Sequence, residues 1–163
     1  MTSSLRIIST SESVTFGLGK GIGQQACPGD VVQLIGPLGA GKTQWVKGMA
    51  EGLGIKENEV RSPTFTLMHV HDEGRLPLYH IDLYRWDHRE AGLEEAIEGN
   101  GVAVVEWADE GPELFAGVAS LRVSIQHFGE HREIQLEGPQ IWQNRIAGMR
   151  EQWSGPFAKL PMR

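Results

Sequence analysis

The sequence predicts an α/β protein of three layers, with helices on both faces of a central mixed, mostly parallel sheet. Three observations carry that expectation. The apolar run Val31-Val32-Gln33-Leu34-Ile35 is followed at once by Gly36-Pro37-Leu38-Gly39-Ala40-Gly41-Lys42-Thr43, and then by a helical pattern in which Trp45, Val46, Met49, Ala50 and Leu53 share one stripe. A second compact apolar run, Val102 to Val105, ends in Glu106, the pattern of a buried strand that delivers a carboxylate at its end. Further extended runs lie in pairs around polar turns and read as hairpins at the sheet's flanks.

Taken in order, Leu5 to Ser9 reads as a first strand. Ser11 can open a helix running towards Gln25, although Gly17, Gly19, Gly21 and Gly23 lower its intrinsic propensity. Those glycines do not follow the spacing of a dinucleotide fold, because Ile22 occupies the last required position. They imply a loosely specified surface helix or close packing against a neighbour. The strand over 31–35 and the helix over 43–53 follow, with Gly54 where a helix commonly stops. Phe65 to His71 and Leu76 to Leu83 then form a hairpin around Asp72-Glu73-Gly74-Arg75, and a short helix is expected over 87–98. Leu121 to Phe128 and Arg132 to Leu136 alternate around Gly129-Glu130 as a second hairpin exposed on one face, and Ile141 to Trp153 reads as a terminal helix. The chain is thus one domain over 1–153, with Ser154 to Arg163 expected to be a mobile tail.

Composition narrows the partners. The 163 residues carry a formal charge of −6, which offers no broad basic surface for gripping a phosphate backbone. Cys27 is the single cysteine, so the chain can build neither a disulfide framework nor a cysteine zinc site within itself. Met1 to Ser13 lacks the apolar core of a secretory signal, and no run reaches the length of a membrane span. The expectation is a cytoplasmic, soluble protein without membrane contact.

The chemistry is concentrated in the glycine loop. GxxxxGK[ST] after a strand and before a helix is a P-loop, whose main chain wraps nucleotide phosphates. Pro37, Leu38, Gly39, Ala40 and Gly41 would form that cradle, Lys42 would sit on the β and γ phosphates, and the Thr43 hydroxyl would take a place around a magnesium ion. A three-layer P-loop NTPase-like fold follows. The ion needs a carboxylate as well, and Asp82 and Glu106 both close apolar runs where open α/β sheets bind ligands. Either can hold the ion directly or through water, the second positioning an attacking water, unless one is a surface carboxylate, such as Asp82 paired with Arg85. Thr64 follows Pro63 in a loop placed as a switch segment would be, or it is a simple turn hydroxyl. His69, His71 and His80 invite a zinc reading, against which solvent-facing strand histidines are the commoner case. Trp107 is either packing or a stack for the ligand.

Together, the P-loop, Ser62-Pro63-Thr64-Phe65-Thr66, His80-Ile81-Asp82-Leu83-Tyr84-Arg85 and Glu106-Trp107 resemble the bacterial TsaE family, also called YjeE, over about residues 10–138. The resemblance implies a small ATPase supporting synthesis of threonylcarbamoyladenosine in tRNA. It would work with the TsaD and TsaB proteins and touch tRNA only through them, with ATP binding and hydrolysis resetting the assembly. It also implies that Lys42 binds phosphates, that Thr43 and Asp82 belong to a Mg2+ site, that Thr64 sits in a switch-like loop, and that Glu106 and Trp107 belong to the catalytic environment. Whether Glu106 is a metal ligand or a water-positioning base stays open. Two rival readings are a small-molecule kinase, for which Arg85, Arg89, Arg122 and Arg132 are too scattered to form an obvious lid, and a nucleotide-dependent binding switch with negligible turnover. The absence of an Asn-Lys-x-Asp motif argues against guanine and so for ATP.

Overall fold

A computed structural model describes residues 3–89, 92–149 and 158–160, the last three as backbone. Its strands are β1 (Ser3–Ser9), β2 (Val31–Ile35), β3 (Met68–His71), β4 (Leu78–Asp82), β5 (Val102–Glu106), β6 (Leu121–Phe128), β7 (His131–Gly138) and β8 (Ala158–Leu160). The helices are α1 (Glu12–Gln24), α2 (Lys42–Gly52), α3 (Leu93–Ile97) and α4 (Gln140–Met149).

Among the described residues the strands make one sheet in the order β3-β4-β5-β2-β6-β7-β1-β8. The three ladders at its centre, β4 with β5, β5 with β2 and β2 with β6, are parallel, while the flanking ladders are antiparallel. Helices cover both faces, as a parallel centre requires. Alternation along β5 sends Val102 and Val104 into a core shared with α1, α2 and α4, and sends Ala103 and Val105 into a second core with α3, Leu114 and Phe115. The three-layer α/β expectation is therefore met.

The glycines of α1 have a packing reason. Ser11 caps the helix by accepting the Val14 N–H, and α1 then lies flat along α2. A Cβ on Gly19 would stand 2.3 Å from the Trp45 carbonyl oxygen, and one on Gly48 would stand 2.0 Å from the Phe16 carbonyl oxygen. Gly23 and Gly52 repeat the pattern one turn further along. The helix is not a loosely held surface element: lost propensity is offset by backbone contact that any side chain would block. The guanidinium of Arg75, in the turn between β3 and β4, donates to the carbonyls of Gly23, in the last turn of α1, and of Ala26, just beyond it, and so ties that turn to the end of the helix.

Two expectations need correcting. The first hairpin strand begins at Met68 rather than Phe65, because the N–H groups of Thr66 and Leu67 both bond to the Pro63 carbonyl and Leu67 turns left-handed with φ 71°. The helix expected over 87–98 shrinks to α3, since the Asp87 carboxylate takes both the Arg89 N–H and its guanidinium, and Gly92 starts the helix at φ 101°. Glu90 and Ala91 lie outside the described residues. The expected terminal helix is present as α4 up to Met149, and residues 150–153 lie outside the described residues. Of the segment expected to be a tail, Ala158–Leu160 pairs with β1 as β8, and its other residues lie outside the described set.

Two outcomes follow. Gly48→Val forces α1 and α2 apart and costs about 1–3 kcal/mol, read as a lowered thermal midpoint. Burial holds the His71 imidazole below its ordinary value of 6.5, only partly opposed by Glu73. A folded-state value below the unfolded one means that this contribution is present above pH 6.5 and lost as pH falls through the folded value. His71→Leu therefore flattens the fall in urea midpoint between about pH 7.5 and about pH 5.

Candidate functional site

The site lies at the carboxyl ends of the parallel strands, where β2 ends in the glycine loop and β4 and β5 end in carboxylates. Gly36 packs too closely against the Ile125 carbonyl of β6 to carry a side chain, so the loop leaves the sheet tightly held. Gly39 and Gly41 adopt φ 78° and φ 109°, and Gly41 is the N-cap of α2. The loop thereby curls over the helix's N-terminus, where main-chain N–H groups and the helix dipole favour an anion.

Lys42 is folded back into this curl at 5% exposure. Its ammonium donates to the carbonyls of Gly36 at 2.6 Å and Pro37 at 3.0 Å, and lies 4.0 Å from the centre of the Trp107 ring. Burial pushes its pKa below the ordinary lysine value, with Glu106, Asp82 and Asp109 pulling the other way. Trp107 reaches over the lysine because it turns left-handed at φ 57°, an unusual conformation for a bulky residue that costs about 1–3 kcal/mol. Tyr84 packs against the outer side of its ring at 4.9 Å between centroids.

The two carboxylates are cross-strand neighbours, Asp82 of β4 opposite Glu106 of β5. Glu106 accepts from the Thr43 hydroxyl at 3.2 Å through one oxygen and faces His80 Nε2 at 2.5 Å through the other. Asp82 accepts from Ser62 at 2.9 Å and Thr64 at 2.8 Å, and its second oxygen takes the Tyr84 N–H. Arg85 is not its partner, as the guanidinium stacks on Phe65 instead. One cleft is lined by Leu38, Gly39, Ala40, Gly41, Lys42, Thr43, Thr64, Asp82, Glu106 and Trp107, and Pro37 contributes through its carbonyl to the lysine. A second cavity, bounded by Ser11, Glu12, Thr15, Gln44 and Arg132, opens on the other side of Gly39 to Gly41. Arg132 of β7 donates to the Ala40 carbonyl at 3.2 Å and ties the loop to the far hairpin.

Asp82, Glu106 and Thr43 present hard oxygen donors of the kind magnesium prefers, gathered beside the phosphate-type loop. The histidines do not converge. His69 lies opposite His80 across the strands, yet His80 turns to Glu106 and His71 to Glu73, and no group of three metal-ligating residues is gathered among the described residues.

Sequence reasoning placed Lys42, Thr43, Thr64, Asp82, Glu106 and Trp107 in one site, and the fold brings them together. It overlooked Ser62 as a partner of Asp82 and His80 as a partner of Glu106. The two-residue spacing of His80 and Asp82, which puts both on one face of β4, was the available signal. Arg132 carries no local signal, because its role exists only once β7 is placed near the P-loop.

Fold and site together define a P-loop protein of the α/β class. Residues 9–134 match the family described as threonylcarbamoyl adenosine biosynthesis protein TsaE. The chain is 46% identical over 127 residues to the tRNA threonylcarbamoyladenosine biosynthesis protein TsaE of Treponema pallidum, covering 73% of this chain and 92% of the relative. It is 54% identical over 85 residues to the protein of that name from Bacillus subtilis, where the match spans 51% of this chain and about half of the relative, 53%. The crystal structure of Bacillus subtilis YdiB superimposes with a TM-score of 0.80 at 35% identity, covering 93% of this chain and 97% of that one. The chain belongs to the TsaE family of threonylcarbamoyladenosine biosynthesis proteins.

Burial outweighs the attraction of the carboxylates at Lys42, so Lys42→Met, which removes a desolvated charge together with its two hydrogen bonds, should cost the nucleotide-free protein less than the ~3–5 kcal/mol lost when a buried pair is stripped of one partner. A loss of that size, read from the thermal midpoint, would contradict that balance.

Proposed function

We propose that this protein is a Mg2+-dependent ATP-binding protein and ATPase required for threonylcarbamoyladenosine modification of tRNA. It acts with TsaD and TsaB, and turnover resets their complex between rounds. The observation that carries this reading is the convergence of a complete P-loop, a helix N-terminus and two carboxylates on one cleft. The family membership and the names of the relatives support the pathway.

In this reading the main chain of Pro37 to Gly41 cradles the phosphates, and Lys42 exchanges its bonds to the loop carbonyls for phosphate oxygens. The buried ammonium is already stripped of water, so its attraction for a phosphate is little screened. Thr43 and Asp82 would hold the magnesium ion, which when bound neutralises charge on the phosphates. Glu106 holds the remaining position beside Thr43, as a ligand or as the group that orients water. Thr64, bonded to Asp82, links the 62–66 loop to the state of the site. Trp107 and Tyr84 form an aromatic wall at the mouth, and the second cavity beyond Gly39 to Gly41 suits the nucleoside. Leu38 and Phe65, 77% and 85% exposed, stand beside the cleft as apolar surface for a protein partner. The net charge of −6 favours action through proteins over direct binding of tRNA, and the chemistry fits the cytoplasm. No helix among the described residues is long and apolar enough to cross a membrane.

Phosphate release from ATP, measured for the chain alone and with TsaD, TsaB and substrate tRNA, checks this directly. Release should rise with the partners and fall at least about tenfold in Lys42→Ala. Asp82→Ala should shift the dependence on Mg2+ to higher concentration. Equal release by wild type and both variants would remove the site from the reaction, and partner-independent transfer to a small acceptor would favour a kinase.

A further inference from the structure

His80 is fully buried in the middle of β4, with one ring nitrogen on Glu106. Nε2 lies 2.5 Å from Glu106 Oε2, and among the described residues Nδ1 has no hydrogen-bond partner. A carboxylate oxygen accepts, so the tautomer with hydrogen on Nε2 suits the pair, and it leaves on Nδ1 a bare lone pair, which is cheaper to bury than an unpaired N–H. Glu106 Oε1 takes the Thr43 hydroxyl at 3.2 Å. Thr43, Glu106 and His80 thus form a chain running from the P-loop helix into the sheet.

A buried imidazole with a half-used ring is poor as a packing element. Leu or Met at this position would fill the space without stranding a polar atom. Its side chain shares a face with Asp82, two residues on, while Val104 is its neighbour on β5 and His69 its neighbour on β3. His80 meets Glu106 from within the sheet. Lys42 and Thr43 approach from α2, and Asp82 lies alongside.

We infer that His80 is a positioning residue: its Nε2–H pins one oxygen of Glu106 so that the other stays aimed at Thr43 and the phosphate side of the cleft. Rotation of the carboxylate about its terminal torsion is otherwise soft, and a single fixed hydrogen bond removes that freedom. Groups that orient a ligand or base in this way commonly change activity by about 10–100-fold when lost, although they touch no substrate. As a statement about activity, the inference rests on the ATPase reading above.

The experiment uses the full chain and two kinds of readout. In nucleotide-free protein, an imidazole N–H resonance protected from exchange should be assignable to His80 by its loss in His80→Gln, and it should move upfield in Glu106→Gln as the charged acceptor is replaced. In turnover with partners, His80→Leu should lower kcat about 10–100-fold with KM for ATP within about twofold, and His80→Gln, which keeps an N–H donor, should recover most of the rate. The thermal midpoints of both variants identify any loss due to unfolding. A resonance indifferent to Glu106→Gln, or equal loss of kcat in folded His80→Leu and His80→Gln, would overturn the assignment. If the wild-type chain releases no phosphate, the ATPase reading falls, while the resonance still decides whether His80 holds Glu106.

Discussion

The constraint on which the site depends is the register of the parallel ladders among β2, β5 and β4. Leu34 pairs with Glu106, and Glu106 with Asp82, so the last residues of β4 and β5 lie level with the next-to-last residue of β2, just before β2 passes into the glycine loop. A slip of one residue in either ladder would turn a carboxylate to the opposite face and leave it buried against α3 and the apolar residues there. The hydrophobic pattern forbids the slip: Val102 and Val104 belong to the α1 and α2 side, Ala103 and Val105 to the other. The cores that stabilise the sheet therefore also aim its chemistry.

The α1–α2 pair secures the other half of the site. Four glycines let the two backbones touch, and α2 cannot tilt without driving Trp45 or Met49 carbonyls into α1. The helix N-terminus that carries Lys42 and Thr43 is thus fixed relative to the sheet edge that carries Asp82 and Glu106. This rigidity matters because the polar groups are short of alternatives. Lys42 borrows loop carbonyls, Asp82 borrows two hydroxyls, and Glu106 is shared between Thr43 and His80. A ligand bearing phosphates would exchange these internal bonds for its own, which makes the cleft preorganised yet adjustable. Trp107 contributes in the same sense, since its left-handed backbone is tolerated only where packing against Tyr84 and Lys42 holds it.

Much of this was legible from local pattern. The strand over 31–35 and the buried strand ending in Glu106 have the predicted limits, and the P-loop helix differs by one residue at each end. These segments are short, apolar and bounded by glycine or charge, so local preference and tertiary environment agree. The stretch from Asp87 to Arg89 departs from the expected helix because the aspartate bonds to the chain just after it, and the helix starts only from Gly92. Phe65 to Leu67 was misread because a β-type composition is overridden by the turn that Pro63 begins.

By itself the sequence determined the phosphate-type loop, the strands on either side of it and the identity of the two carboxylates, since these follow from residue types at fixed short spacing. Only the tertiary structure decided which groups those carboxylates meet. His80 was one of three histidines until β4 lay against β5, Ser62 was a turn residue until its loop folded over Asp82, and Arg132 was one scattered charge until β7 placed it against the P-loop. The same holds for the glycines of α1, which in isolation fit either a loosely specified helix or close packing, and which only α2 lying against them decides for contact. Such partnerships join residues far apart in the chain, and their free energy arises from burial and register that no local window contains.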